Sequence, residues 1–277
     1  MEDLFEVKAE QAVGDYIDEE GYLCCGNCNT RKQYRIPWPF FDGKGSMGDH
    51  LVPVLCRCKQ EEKARMEAEQ KAREHRELVA RLQSVCFTSP ARRNHTFENA
   101  NMLPPDILEK AKRFVEDWPT VRRENTGQLY WGDCGTGKSY TVACIANALM
   151  EQEIPVLMRN LGDFMGGSFE DKEELCRDVA RYGLVIFDDL GMERATEYGL
   201  EMVYRVINAR YESGKPTIFT TNLSLQDLMN PQDIAHKRIY DRALEMTIPI
   251  QFTGPNVRPK IRQHKMNIFR KILKGGQ

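Results

Sequence analysis

A glycine-rich segment, GDCGTGKS at Gly132–Ser139, constrains the fold of this chain more than any other feature. It fits the pattern G-x-x-x-x-G-K-[ST], in which glycines let the backbone turn closely around a chain of phosphates. The segment follows a predicted strand, 128–131, and opens a predicted helix, 139–152, whose positive N-terminal end faces the same phosphates. The residues predicted to bind the nucleotide are Gly132, Asp133, Cys134, Gly135, Thr136, Gly137, Lys138, Ser139 and Tyr140.

A magnesium site is predicted from the same segment together with a second one. Lys138 is expected to reach the β- and γ-phosphates, and the Ser139 hydroxyl is expected to bind Mg²⁺. Fifty residues after Lys138, Asp188 follows the continuous apolar run Leu184–Phe187. Such a run predicts a strand covered on both faces, and ligands of open α/β sheets bind beyond the carboxyl ends of the strands. Asp188 is therefore predicted to hold Mg²⁺ through its water shell.

Two further polar residues are candidates for the hydrolytic step. Asp189 is the candidate base that polarises the attacking water, and Glu193 is the alternative. Asn222 follows another predicted strand, 216–221, and its amide is suited to orienting the water against the γ-phosphate. Together with Lys138, these side chains predict a catalytic site for phosphoryl transfer to water.

The order of elements predicts an α/β fold, a parallel sheet flanked by helices. Residues 59–84 contain 13 charged residues and few apolar ones, which is typical of a solvated helix. Composition and motifs divide the chain into four predicted segments: a small N-terminal module at 1–58, a charged helical linker at 59–85, a nucleotide-binding core at 86–262 and a basic tail at 263–277.

Charge and hydropathy limit the partners and the compartment. The net charge of −2 argues against an overall cationic nucleic-acid binder, yet the chain from Gln251 onward has seven Lys or Arg and no Asp or Glu. This end either contacts phosphates or an acidic partner, or is a solvated terminal helix. No apolar run reaches the roughly 18–20 residues of a membrane span, and the acidic N-terminus does not resemble a signal peptide. We expect a cytoplasmic protein that does not contact a membrane.

The cysteines of the N-terminal module predict a zinc site. Of nine cysteines, five fall between Cys24 and Cys58. A C-x-x-C knuckle and a later C-x-C pair suit a closed tetrahedral S₄ site, which supplies folding energy to a module too small for a sufficient core. The predicted ligands are Cys25, Cys28, Cys56 and Cys58. Cys24 or His50 is an alternative ligand, and buried free thiols are the alternative to a metal.

An aromatic and basic segment, 30–41, lies between the two cysteine pairs. Its aromatic residues are Trp38, Phe40 and Phe41. They suit stacking against bases of single-stranded DNA, packing within the module, or docking on a protein partner. We favour docking on a protein.

The runs GDCGTGKS, LVIFDDLG and PTIFTTNLSLQDL resemble the AAA+ ATPases of the DnaC/DnaI helicase-loader and IstB-like family. The resemblance covers about residues 86–262 and extends to the cysteine-bearing N-terminal module. It implies the AAA+ core fold and ATP as the nucleotide. It also implies delivery of a replicative hexameric helicase onto single-stranded DNA.

The same resemblance implies roles for individual residues. Asn222 matches the sensor-1 position of the family, and Arg258 resembles its late, sensor-2-like arginine. Arg242 matches the arginine finger offered to the ATP of a neighbouring subunit, which implies a homo-oligomer, and Arg238 competes for that role. Phe97 resembles an aromatic that lies near the adenine in the family, and a core position is the alternative.

Three functions remain open at the level of the sequence. Asp189 stands where many AAA+ enzymes have Glu, so we expect slow, switch-like hydrolysis in an ATP-dependent helicase loader. The first alternative is an IstB-like regulator that acts on a transposase and duplex DNA, and such proteins usually lack a zinc module. The second is a zinc-containing adaptor that binds ATP with little hydrolysis.

Overall fold

The computed structural model divides the chain into two units, Met1–Arg76 and Glu77–Gln277. It describes residues 9–39, 46–162, 176–192 and 197–273. Glu193, Phe40 and Phe41, which the sequence singled out, lie outside the described residues, and so do the side chains of Trp38 and His50.

The smaller unit contains two short antiparallel ribbons and the start of a long helix. In its described part the elements are β1 (Tyr16–Ile17), β2 (Leu23–Cys24), β3 (Gln33–Pro39), β4 (Ser46–Pro53) and α1 (Arg57–Cys86), of which α1 continues into the second unit. β1 pairs with β2, and β3 pairs with β4. The buried apolar residues among those described here are Leu23, Cys24, Cys25 and Cys56. Such a set is too small for a hydrophobic core, so other interactions must hold this unit together.

The helix α1 is polar on nearly all of its surface. Several of its exposed ion pairs are spaced four residues apart, as in Arg57–Glu61 and Lys63–Glu67. Its buried side chains, Val79 and Cys86, lie near its C-terminal end. Exposed pairs of this kind add only about 0.3–0.5 kcal/mol each, so they support a helix without requiring that it be packed.

A parallel sheet forms the centre of the larger unit. Its described strands are β5 (Gly127–Trp131), β6 (Val156–Asn160), β7 (Leu184–Leu190), β8 (Thr217–Thr221) and β9 (Thr247–Gln251). Their order across the sheet is β6-β7-β8-β5-β9, and neighbouring strands are parallel. The fold is the AAA+ P-loop fold expected from the sequence.

Helices cover both faces of this sheet. The helices of this unit in the described part are α2 (Pro105–Glu116), α3 (Trp118–Arg123), α4 (Lys138–Glu151), α5 (Glu197–Glu212), α6 (Leu225–Met229), α7 (Ile234–Glu245) and α8 (Arg258–Leu273), with a 3-10 turn at Pro90–Asn94. No helix in the described ranges is both long and apolar enough to cross a membrane.

Alternate residues of the interior strand β7 enter two different cores. Leu184 and Ile186 pack with side chains of α2 and α4, whereas Val185 and Phe187 pack with side chains of α5 and α7. Successive side chains of a strand point to opposite faces, so a strand covered on both sides is apolar throughout. This explains the uninterrupted apolar run before Asp188.

The predicted helices and strands of the core agree with the structure to within two residues, except that β7 continues three residues past the apolar run to Leu190. A further difference is at β6. The sequence predicts a strand from Ile154, but β6 begins at Val156. Glu153 has a φ of +61°, and the Ile154 N–H donates to the Leu149 carbonyl at 3.1 Å. The chain thus uses these residues to end α4 before the strand begins.

Candidate functional site

Three neighbouring strands bring the candidate residues to one edge of the sheet. β5 leads into the loop 132–137, β7 has the two aspartates just before its last residue, and β8 leads to Asn222. β8 lies between β5 and β7. The chain leaves β5 and returns to β6 on the far side of β7, which creates the crevice where α/β sheets bind ligands.

The conformation of the loop requires glycine at two positions. Gly135 has a φ of +80°, and a Cβ atom there would lie 2.3 Å from Asn256 Oδ1. Gly137 has a φ of +110°, and its Cβ atom would lie 2.1 Å from Leu103 Cδ2. The Val257 N–H also donates to the Gly135 carbonyl at 2.9 Å. The loop is therefore packed against the segment before α8, which helps to fix its conformation.

Lys138 is buried at the start of α4 and points back into the loop. Its Nζ donates to the carbonyls of Gly132 and Asp133 at 2.7 and 2.8 Å, and to Asn222 Oδ1 at 2.8 Å. Burial lowers the pKa of Lys138. The ammonium group is held by neutral oxygens, which a phosphate can replace with a stronger, charge-assisted bond.

Asp188 is almost fully buried, and both of its oxygens have partners. Oδ1 accepts hydrogen bonds from Ser139 Oγ at 2.8 Å and from Thr220 Oγ1 at 2.6 Å. Oδ2 accepts from Arg92 Nη2 at 2.7 Å. The hydroxyl and carboxylate oxygens of Ser139 and Asp188 are the kind of ligand that Mg²⁺ prefers, directly or through water. These two residues thus fit the predicted metal.

Asp189 lies beside Asp188 in an unusual backbone conformation, with a φ of +62°. Its Oδ2 accepts a hydrogen bond from Asn160 Nδ2 at 3.1 Å, and its backbone N–H donates to Thr220 Oγ1 at 3.0 Å. Burial, followed by the negative charge of Asp188, raises the pKa of Asp189. A carboxylate with a raised pKa accepts a proton more readily, which suits a general base.

Further predicted nucleotide residues lie around the loop. Thr136 Oγ1 donates to the Asp133 carbonyl at 2.8 Å. Cys134 is exposed, and its sulfur atom accepts a hydrogen bond from Arg258 Nη1 at 3.4 Å. The ring of Tyr140 stacks on His95 with a centroid distance of 4.2 Å.

The two candidate finger arginines lie on α7, away from this set of hydrogen bonds. Arg242 Nη2 donates to the Tyr204 hydroxyl at 3.1 Å, and its guanidinium lies 4.7 Å from the centroid of the Tyr211 ring. Arg238 is exposed. Arg242 is thus half-buried and held by aromatic groups.

Phe97 packs among buried apolar side chains. It is half-buried and contacts two of the hydrophobic clusters, one of which contains Ala100, Leu103 and Cys144. Lys112 Nζ lies 5.9 Å from the centroid of its ring.

Arg92 and Asn160 were missed by the sequence prediction. Asn160 ends β6 as Asp188 nearly ends β7, and the two residues are register partners. A polar residue at the end of an apolar strand was an available signal for Asn160. Arg92 has no such signal, because Arg93 beside it has the same chemistry.

The cysteine residues of the smaller unit form a second candidate site. Among the described residues, the sulfur atoms of Cys25, Cys28, Cys56 and Cys58 all lie within 4.8 Å of one another. Tetrahedral zinc with Zn–S bonds of about 2.3 Å needs sulfur separations of about 3.8 Å. The distances from the Cys58 sulfur to those of Cys25 and Cys56 are 3.6 and 3.3 Å, so the cluster has the size of a zinc site.

The surroundings of this cluster favour the thiolate at two of the four cysteines, whereas the hydrogen bond with Cys56 is the main cause that raises the pKa of Cys58 to about 12. The backbone N–H groups of Cys28 and Asn27 lower the pKa of Cys25. The Thr30 hydroxyl is the main cause that lowers the pKa of Cys28 to about 5. Cys24 points elsewhere, because its sulfur atom donates to Asp18 Oδ2 at 3.7 Å.

Comparison with known proteins relates the chain to replicative helicase loaders. No family model matches the chain. The chain is 24% identical over 163 residues to the replicative helicase loader DnaC of Escherichia coli strain K12, which covers 55% of this chain and 64% of that protein. It is 26% identical over 180 residues to the replicative helicase loader DnaI of Bacillus subtilis strain 168, which covers 59% of this chain and 58% of that protein. The resemblance to loaders inferred from the motifs is confirmed.

Other comparisons extend this picture. The chain is 27% identical over 158 residues to the phage-like element PBSX protein XkdC of Bacillus subtilis strain 168, which covers 53% of this chain and 59% of that protein. A crystal structure of DnaI matches 64% of this chain and 100% of that chain, with a TM-score of 0.53 and 24% identity. The chain spans less than two thirds of the length of these curated relatives, and the structural match supports the fold.

Proposed function

We propose that the chain is an ATP-dependent factor that loads a replicative hexameric helicase onto single-stranded DNA, with ATP binding and slow hydrolysis as its switch. One observation carries the proposal. At one sheet edge, Lys138 donates to Asn222 and Ser139 donates to Asp188, in a chain whose matched relatives are named replicative helicase loaders.

ATP binding would use the loop and the start of α4. The glycine conformations turn the backbone around the phosphates, and Lys138 exchanges its carbonyl partners for the β- and γ-phosphates. Arg258, beside Cys134 of the loop, adds a second positive charge. Ser139 and Asp188 would hold Mg²⁺, which neutralises charge on the phosphate oxygens when bound.

The switch would depend on the contact between Lys138 and Asn222. In the structure, the Lys138 ammonium donates a hydrogen bond to Asn222 Oδ1. A γ-phosphate that attracts Lys138 frees this amide oxygen to orient a water molecule, and Asp189 accepts the proton of that water. We expect slow turnover because Asp189 is shorter than the glutamate usual in AAA+ enzymes.

The partners are assigned to different parts of the chain. The cysteine-bearing unit, with zinc bound by its four clustered thiols, is proposed to grip the helicase. The helix α8 carries basic and no acidic residues and is proposed to contact single-stranded DNA. Arg242 is proposed to reach the ATP of a neighbouring copy of the chain in a homo-oligomer.

The test compares the wild-type protein with Lys138→Ala and with Lys110→Ala, an exposed lysine of α2 as the matched control. Calorimetry with Mg²⁺ and ATP should give at least a ~100-fold weaker affinity for Lys138→Ala, since the charge-assisted phosphate contacts are lost. Far-UV circular dichroism should show the same fold in all three proteins. Unchanged ATP affinity in Lys138→Ala would refute the site.

Loading itself is tested with the hexameric replicative helicase of the same organism and circular single-stranded DNA, which requires the helicase ring to open. Wild type and Lys110→Ala should transfer helicase to the circle only with ATP, and Lys138→Ala should not. ATP binding without helicase capture or transfer would rule out the loader and favour the adaptor. Stimulation of a transposase on duplex DNA instead would favour the IstB-like regulator.

A further inference from the structure

The contact between Arg92 and Asp188 brings a positive charge into the candidate magnesium site. The two side chains meet at 2.7 Å, and their exposed fractions are 23% and 1%. The other carboxylate oxygen already accepts hydrogen bonds from Ser139 and Thr220. Arg92 therefore donates to Asp188 Oδ2, the carboxylate oxygen that those hydroxyl groups do not contact.

The backbone around Arg92 is held in place by the interior of the larger unit. Asn147 Nδ2 donates to the carbonyls of Arg92 and His95, both at 2.9 Å. Asn147 lies on α4 and is 4% exposed, and its own oxygen accepts a hydrogen bond from Gln83 Nε2 at 3.0 Å. Arg92 is thus presented to Asp188 from a turn whose backbone carbonyls are held by Asn147.

Magnesium and Arg92 require the same carboxylate. A hydrated Mg²⁺ bound by Ser139 would direct its water molecules at Asp188, where Arg92 donates in the present arrangement. Mg²⁺ and the Arg92 guanidinium beside the same carboxylate would also repel each other, and this repulsion is strong where water is excluded. Both cannot have their full set of contacts at once.

We propose that Arg92 competes with Mg²⁺ for Asp188: it pairs with the carboxylate when no nucleotide is bound and is displaced when Mg²⁺ and ATP bind. This rests on the proposed ATP site. Pairing with Arg92 keeps the buried carboxylate satisfied in the empty site and raises the concentration of Mg²⁺ that ATP binding requires.

The test measures ATP affinity by calorimetry over a series of free Mg²⁺ concentrations, with an EDTA series as the metal-free limit. It compares wild type, Arg92→Gln and Arg93→Gln, the exposed neighbour that loses the same charge. Arg92→Gln removes the pairing with Asp188. If most wild-type molecules have this pairing, the half-saturating Mg²⁺ concentration should be about 3- to 10-fold lower in Arg92→Gln than in wild type. Arg93→Gln should match wild type.

Other outcomes overturn the proposal. An unchanged or higher Mg²⁺ requirement in folded Arg92→Gln would exclude competition. Weaker ATP binding both with Mg²⁺ and in EDTA would make Arg92 a phosphate ligand instead. An equal decrease in the Mg²⁺ requirement of Arg93→Gln would show that the effect comes from the loss of any nearby positive charge and not from the pairing of Arg92 with Asp188.

A second variant keeps the test decisive if Arg92→Gln does not fold. Arg92→Lys keeps the charge on a compact, strongly hydrated group that leaves the carboxylate more readily, so a smaller decrease in the Mg²⁺ requirement is expected. No decrease in folded Arg92→Lys would refute the competition. Wild type that binds no ATP at any Mg²⁺ concentration would instead refute the proposed function itself.

Discussion

At the scale of single residues, Asp189 combines backbone strain with an altered acidity. Its φ of +62° is uncommon outside glycine, and the left-handed region costs an L-residue about 1–2 kcal/mol. Asn160 and Thr220 bind its side chain and its backbone and so maintain this conformation. Strain of this kind is found mainly at functional sites, and here it turns two consecutive carboxylates toward one crevice.

His95 is expected to make the larger unit less stable in acid. Burial, followed by the positive charge of Arg92, lowers the pKa of His95 below its ordinary value of 6.5. The unfolded chain therefore binds this proton more readily than the folded one. The resulting stability is complete above pH 6.5 and is lost as the pH falls from 6.5 through the folded-state pKa.

The variant His95→Phe keeps a ring to stack on Tyr140 and removes the titrating group. Its melting temperature should fall less than that of wild type between about pH 7.5 and pH 5. His264→Phe, at an exposed position of α8, is the control and should behave as wild type. A pH dependence of His95→Phe equal to that of wild type would exclude His95 as the cause.

At the scale of elements, a buried arginine joins α5 to the segments that precede β7 and β8. Arg210 is fully buried and donates to the carbonyls of Val179, Tyr182, Gly183 and Pro216 and to the Thr217 hydroxyl. Burial lowers the pKa of Arg210 to about 9. Its planar group satisfies several carbonyls that no regular hydrogen-bond ladder reaches.

Loss of this group is expected to be costly. Arg210→Met leaves buried carbonyls without donors and should lower the free energy of unfolding by about 3–5 kcal/mol. Arg205→Ala removes an exposed arginine of the same helix, paired with Glu201, and should cost no more than about 0.5 kcal/mol. Urea denaturation measures both, and a loss below about 1 kcal/mol for Arg210→Met would contradict this role.

The cysteine cluster joins two elements of the smaller unit, the turn after β2 and the start of α1. We expect elemental analysis to find about one zinc per chain, since four clustered thiols can form a closed site. Replacing Cys25 and Cys28 with Ser should remove the metal and unfold this unit, as chelators should. Cys24→Ser should retain it, because Cys24 contacts Asp18. A metal-free unit that is nevertheless folded would end the zinc hypothesis.

At the scale of the whole molecule, Arg242 is expected to act between copies of the chain. Tyr204 and Tyr211 hold its guanidinium, and among the described residues it makes no hydrogen bond to the phosphate loop of its own copy. Arg242→Ala should retain ATP binding and lose at least ~100-fold in hydrolysis. Arg238→Ala, on the same helix, should lose less.

A mixing experiment tests the direction of this contact. Arg242→Ala binds ATP without offering a finger, and Lys138→Ala offers the finger without binding ATP. A mixture should therefore hydrolyse more ATP than the sum of its parts, which coupled phosphate release measures. If mixing gives no additional hydrolysis under conditions in which the chain oligomerises, Arg242 does not act on the ATP of a neighbouring copy.

Much of the fold and part of the site were predictable from local patterns. The loop Gly132–Ser139 and the apolar run before Asp188 are patterns of residues that are adjacent in the sequence. The strands and the helix predicted from them are therefore present in the structure. The contacts of Lys138 with Asn222 and of Ser139 with Asp188 also follow, because parallel strands end at one edge. Phe97 was left open, since an aromatic residue has the same pattern in a core as beside a base.

The sequence by itself determined the phosphate loop, the parallel sheet flanked by helices and the thiol set that can hold a metal, because each follows from the spacing of residues along the chain. Only the tertiary structure decided that Arg92, and not Arg93, pairs with Asp188 across 96 residues of sequence. It also decided that Asn147 holds the turn behind that pair. Such contacts depend on which side chain of a packed turn points inward, and the spacing of nearby residues in the sequence does not indicate this direction.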